Sequence, residues 1–156
     1  MLFRSGGGPI GMEFATMFTQ FGTKVTILDR GPKFGSAFDE DVAAEVKADL
    51  EAKGITIING ADVTELKDTD DGIKVHYSEG GGEHAIDATT VLFAIGRTPA
   101  TDGLGLESAG INTTERGAIA VDEHLRTNVE GVYAAGDVTG GPQFTYISYD
   151  DHRVIT

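Results

Sequence analysis

A chain of 156 residues with a formal net charge of −13 and no cysteine is about one ordinary domain, or a small domain with part of another. The charge argues against nucleic acid or an anionic membrane surface as partner, and the missing thiols exclude a disulfide framework, a thiolate metal site and a redox dithiol within this chain. No apolar run reaches the roughly 18 residues of a membrane span, and the N-terminus ahead of the first glycines is too short for a signal peptide, so a cytoplasmic protein is expected.

In chain order, Gly6-x-Gly8-x-x-Gly11 opens a helix predicted over Pro9 to Phe21. Ile10, Phe14, Met17, Phe18 and Phe21 recur at helical spacing and form one apolar stripe. Pro9 suits the first turn and Gly22 the stop. Thr23 to Leu28 reads as a strand rich in β-branched residues. A second helix is expected from Asp39 to Lys53, acidic at its start, with Val42, Val46 and Leu50 facing the core. Ile55 to Ile58 is the next strand. Val63 to Lys67, Ile73 to Tyr77 and Glu83 to Ile86, separated by Asp70-Asp71-Gly72 and Gly80-Gly81-Gly82, read as a small antiparallel meander. Val91 to Ile95 is continuously apolar and is expected to be a strand buried on both faces.

A boundary is placed near Gly96. Beyond it runs a glycine-punctuated connection with short strands at Gly117 to Val121 and Val132 to Ala135, then Gly136-Asp137, a Gly-Gly-Pro turn and an aromatic segment from Phe144 to Tyr149. The four histidines, His76, His84, His124 and His152, have no metal-ligand spacing and read as surface or packing residues.

The glycine motif by itself is equally a plain turn. Its context points to a dinucleotide. The first glycine allows a tight turn, the second lets backbone approach a pyrophosphate, and the third lets helix and strand pack closely, with the helix N-terminus facing the phosphates. The helix returns through a strand to Asp29, whose carboxylate can accept from both hydroxyls of an adenosine ribose and would repel a 2′-phosphate. NAD is therefore preferred over NADP, although Arg30 and Lys33 lie close enough in the chain to hold a 2′-phosphate. Only a stub precedes the motif where a full strand is expected. Glu13, assigned to the first turn of the helix, is either a surface acid favoured by the helix dipole or a group reaching towards the nicotinamide. Asp137 by itself reads as a turn acid, and Phe144, Tyr146 and Tyr149 as packing residues.

Gly6-Gly7-Gly8-Pro9-Ile10-Gly11-Met12-Glu13-Phe14-Ala15, Val25 to Asp29, Ala94-Ile95-Gly96-Arg97-Thr98-Pro99 and Ala134-Ala135-Gly136-Asp137-Val138 together resemble the pyridine nucleotide-disulfide oxidoreductases, the flavoproteins related to dihydrolipoamide dehydrogenase, glutathione reductase and mercuric reductase. The ending from Gly140 to Asp151 most resembles their bacterial branch linked to reactive-chlorine and hypothiocyanous acid resistance. The resemblance implies an α/β fold: a Rossmann-like NAD-binding domain with a parallel sheet and a β-meander over residues 1–96, and part of an FAD-binding domain over 97–156. It implies that Gly6, Gly8, Pro9, Ile10, Gly11 and Glu13 line the pyrophosphate and nicotinamide of NAD, with Asp29 at the adenosine ribose, Val63 beside the adenine and Gly96 near the nicotinamide side. Asp137 would hold the ribityl chain of FAD, and Gln143, Phe144, Thr145 and Tyr146 would cover the flavin ring at a helix start.

The family's own N-terminal FAD motif, cysteine pair and C-terminal dimerisation domain with its catalytic histidine are not in this sequence. The expectation is therefore a fragment of an FAD-dependent oxidoreductase that passes hydride from NADH to flavin, with no catalytic residue of its own, inactive alone, and homodimeric at full length. The alternatives are a non-catalytic nucleotide-binding module and an NADPH-using reductase of the same superfamily.

Overall fold

The structure is a computed structural model and describes residues 2–156, with side chains from residue 6 onward. It divides into two compact units, one closing at Gly96 and the other spanning Arg97–Thr156.

The first unit contains strand β1 (Leu2–Ser5), helix α1 (Pro9–Gln20), β2 (Val25–Asp29), α2 (Glu40–Ala52), β3 (Thr56–Asn59), β4 (Asp62–Thr69), β5 (Gly72–Glu79), β6 (Gly82–Ala88) and β7 (Thr90–Phe93). Four strands form a parallel sheet in the order β3-β2-β1-β7, and the other three form an antiparallel sheet in the order β4-β5-β6. The short N-terminal stub is thus a four-residue inner strand, paired with β2 on one side and β7 on the other. Pairing on both edges satisfies its neighbours' ladder groups, which a missing strand would leave unpaired.

The core has two parts. Met12, Ala15, Val25, Ile27, Phe34, Leu50 and Ile55 pack between the helices and one face of the sheet. Leu28, Ala61, Val75, Tyr77 and Ala88 pack between the other face and the meander. Ile27 and Leu28 are neighbours on β2 and fall in different clusters, because successive side chains of a strand point to opposite faces.

The face that α1 buries differs from the expected stripe. Gly11, Met12 and Ala15 are its buried residues, and Phe18 packs partly against them. Ile10, Phe14, Met17 and Phe21 are exposed, Phe21 at 74 %. Close approach of a helix to a sheet selects small side chains, and glycine and alanine on one side of α1 provide it. The bulky residues lie on another side of the helix, where Phe14 stacks on Phe18 at 5.9 Å. On α2 the same effect buries Ala43 and leaves Val42 exposed, while Val46 and Leu50 face the core as expected. β7 is an edge strand paired only with β1 among the described residues, not a strand covered on both faces. Phe93 and the following Ile95 are 57 % and 70 % exposed.

The second unit has little regular structure: a 3₁₀ turn (Gly136–Thr139) and helix α3 (Thr145–Ile155). The two short strands expected here reduce to single bridges, Thr113 with Ile119 and Arg126 with Tyr133. The chain is held instead by side-chain-to-backbone bonds. Asp122 accepts from the amides of His124 and Arg126, both at 2.9 Å, and these bonds, the Arg126 amide foremost, hold its carboxyl below the usual range. Asn128 accepts from the Asn112 amide and donates to the Gly110 carbonyl. Such local bonds replace ladder pairing, so the segment is ordered without strands.

One glycine joins the strands of the first unit to its helix. Gly6 has φ 109°, its N–H donates to the Leu28 carbonyl at 2.9 Å, and a Cβ there would drive into the Ala94 carbonyl. Gly6→Ala is therefore expected to destabilise the chain by at least about 2 kcal/mol, from backbone strain plus the clash, as read by urea denaturation.

Candidate cofactor-binding site

The carboxyl ends of β1, β2 and β7 and the start of β4 enclose an open cleft of about 770 Å³, lined among others by Gly6, Asp29, Arg30, Val63, Phe93 and Ile95. Its position, beyond the carboxyl ends of parallel strands, is where open α/β sheets take their ligands. Local bonds build its floor. The Asp29 carbonyl accepts from the Ala61 amide at 3.0 Å and the Gly31 carbonyl from the Gly60 amide at 2.9 Å, which ties the loop after β2 to the end of β3. A register shift between Val63 and Glu65 bulges β4 where it borders the cleft, so that Val63, Thr64 and Glu65 all line it.

Asp29 closes β2, half-buried. Its Oδ1 accepts from the Gly31 amide at 3.3 Å. Its Oδ2 faces the glycine turn, only 2.6 Å from where a Cβ on Gly7 would stand, and the Phe34 ring lies 3.1 Å from the same point. Gly7, which the glycine spacing left without a role, is what lets the carboxylate lie against the turn. The three motif glycines divide the work. Gly6 takes the strained turn and Gly11 is buried on α1. Gly8 is the residue before α1, and nothing lies within 4 Å of where its Cβ would be. Gly8 supplies no side-chain cap to α1 and no acid stands in the helix's own first turn, so nothing there offsets the positive end of its dipole.

Not all the candidate residues gather here. Gly6, Asp29 and Val63 share the cleft, and Gly96, with φ 126°, follows directly on its wall residue Ile95. Pro9 and Ile10 form the exposed first turn of α1. Glu13 is the fifth residue of α1, beyond the first turn rather than in it, and lines a separate groove between α1 and α2 with Met17, Val46 and Asp49. The dipole reading of Glu13 therefore fails on helix position. Of the two cations near Asp29, Arg30 lines the cleft. Lys33 does not, and its ammonium donates to Glu40 Oε1 at 2.7 Å. That hydrogen bond lowers the Glu40 pKa and raises that of Lys33.

The second unit has a smaller corner of about 400 Å³, lined by Arg97, Asp137, Gln143, Phe144, Thr145 and Ser148 among others. Gln143, Phe144 and Thr145 thus gather with Asp137. Tyr146 is outside the lining and stacks on Phe144 with centroids 5.3 Å apart. Three further residues organise the corner. Arg97 Nη2 lies 3.1 Å from Asp137 Oδ2. Asp151 Oδ2 accepts from the Gly136 amide at 2.7 Å, and Ser148 Oγ sits 2.8 Å from where a Cβ on Gly136 would be. Ser148 and Asp151 are one helical turn apart on α3, a spacing visible in the sequence, but its partner glycine is identified only by folding.

Among the described residues, no three histidine, aspartate or glutamate side chains form a metal-holding group, and no helix is long and apolar enough to cross a membrane.

Comparison with known proteins agrees with this architecture. The chain is 46 % identical over 150 residues to a probable pyridine nucleotide-disulfide oxidoreductase, RclA, of Escherichia coli, covering 96 % of this chain and 33 % of the relative. It is 42 % identical over 141 residues to a dihydrolipoyl dehydrogenase of Geobacillus stearothermophilus, covering 90 % of this chain and 30 % of the relative. A solved structure of the HOCl-induced flavoprotein disulfide reductase RclA from Escherichia coli, as a Cu(II) complex, superposes with a TM-score of 0.91 at 44 % identity, covering 99 % of this chain and 34 % of that one. The chain spans about a third of the length of these relatives. With residues 2–151 matching the family model described as pyridine nucleotide-disulphide oxidoreductase, the chain belongs to that family.

Proposed function

We propose that this chain is the part of an FAD-dependent oxidoreductase that holds the reduced nicotinamide nucleotide in its first unit and one side of the flavin in its second. The observation that carries the reading is the Asp29 carboxylate lying against the Gly6-Gly7-Gly8 turn at the edge of the cleft. A dinucleotide laid across that turn meets backbone amides at its pyrophosphate and a carboxylate acceptor at its adenosine ribose. The residues fit such a group: Gly8 leaves open space at the helix tip, and the cleft has the volume of a cofactor site.

Within this reading, Asp29 orients the ribose, the tip of α1 neutralises the pyrophosphate, and Val63 and its bulge flank the adenine. Arg97 holds the Asp137 carboxylate where it accepts from the flavin ribityl chain, and the start of α3 offers amides to the flavin ring. When bound, the nicotinamide supplies a hydride and the flavin accepts it, the chemistry belonging to the cofactors and the placement to the protein. The onward acceptor lies outside this chain. NAD is preferred over NADP because the acid that accepts from a 2′-hydroxyl repels a 2′-phosphate. Arg30 on the cleft wall is the one feature that favours the phosphorylated cofactor.

Calorimetric titration of the folded chain should give NADH binding tighter than NADPH binding. Asp29→Ala should weaken NADH binding by about 10- to 100-fold and narrow the gap between the two nucleotides. Failure of both nucleotides to bind the unmodified chain would remove the assignment. Gly8→Ala should leave the chain folded, its melt lowered by no more than a few degrees because the methyl meets nothing and only an N-cap preference is lost, yet reduce nucleotide binding by at least about tenfold by obstructing approach to the helix tip. The purified chain should carry no bound flavin, because it supplies only one corner for it; a stoichiometric flavin absorption spectrum would contradict this.

A further inference from the structure

The loop leaving Asp29 runs Arg30-Gly31-Pro32-Lys33, and its first three residues line the cleft. Lys33 belongs to the same turn, its carbonyl 3.3 Å from where a Cβ on Gly31 would stand, yet it is absent from the lining. Its ammonium is held outside by Glu40 at 2.7 Å, from the first turn of α2. There the helix dipole favours a negative charge, so the acid is well placed to stay ionised. The cleft itself is lined by three acids, Asp29, Asp62 and Glu65, and by the single cation Arg30 among the described residues. Glu65 is partnered by Lys67 at 2.9 Å, on its own strand.

We propose that Glu40 is a specificity-determining residue of the nucleotide cleft: by engaging Lys33 it withholds the second cation that a phosphorylated ribose beside Asp29 would need. This rests on the nucleotide reading above. A lysine is a compact charge on a flexible stem, so it relocates readily once its partner is gone. Glu40 touches no nucleotide and acts only through Lys33. An exposed ion pair is a weak restraint, so the effect is a shift in preference rather than a reversal.

The test is calorimetric titration of the full chain with NADH and with NADPH, in the unmodified protein, Glu40→Gln, Lys33→Met and the double variant, each checked for an unchanged melt. Glu40→Gln should raise the ratio of NADPH to NADH affinity by about fivefold, and the gain should shrink in high salt. The double variant should lose the gain. An unchanged ratio in Glu40→Gln overturns the proposal, and so does a gain that survives in the double variant, since removal of an acid would then act without Lys33. If neither nucleotide binds the unmodified chain, the nucleotide reading fails first and this proposal with it.

Discussion

The close approach of backbone to backbone at Gly6 is the constraint on which the rest of the first unit depends. The residue sits between the Leu28 and Ala94 carbonyls, at the carboxyl ends of β2 and β7, and its left-handed φ turns the chain from the inner strand into α1. With any side chain there the three strand ends would have to separate. The cleft wall beyond β7, the floor tied at Gly60 and Ala61, and the position of Asp29 against Gly7 follow from that junction.

In the reading proposed above, an acidic chain would take an anionic ligand without a basic patch, and the positive potential would come from the start of α1, which has neither an acid in its first turn nor anything within 4 Å of where a Gly8 Cβ would stand. The charged side chains around the cleft are mainly acidic, and the loop's second cation is turned outward to Glu40. Backbone dipoles act at short range and on a fixed geometry, so in that reading they would favour a pyrophosphate at the helix tip without drawing phosphate to the ribose edge.

The second unit reaches order by different means. Each of the two short strands expected there is a single bridge, and its long connection is held by Asp122, Asn128 and Thr127 bonding to nearby backbone. Its only longer helix docks on the Gly136 turn through a charge-assisted bond from the Gly136 amide to the Asp151 carboxylate and the close contact with Ser148. That docking sets the turn that carries Asp137, and Arg97 fixes the direction of its carboxylate. A corner built this way is defined by a few polar contacts rather than by buried area, as none of the α3 residues is fully buried.

Local chemistry determined a large part of this protein from the sequence alone. The glycine spacing before Pro9, the β-branched run ending at Asp29 and the Asp-Gly and Gly-Gly turns of the meander each specify backbone over a few residues, and the α/β architecture follows from them; the family resemblance rests on the motifs at Gly6 to Ala15, Val25 to Asp29, Ala94 to Pro99 and Ala134 to Val138. Tertiary structure decided what depends on how far apart distant segments come to rest. It buried Gly11, Met12 and Ala15 rather than the bulkier stripe of α1, because the helix must approach the sheet closely. It left β7 at an edge with Phe93 and Ile95 facing an open cleft, a position that an apolar run does not encode. It also chose partners, Glu40 for Lys33, Arg97 for Asp137 and Asp151 for Gly136, since a side chain's charge is written in the sequence but the group it meets is set only when the backbone has folded.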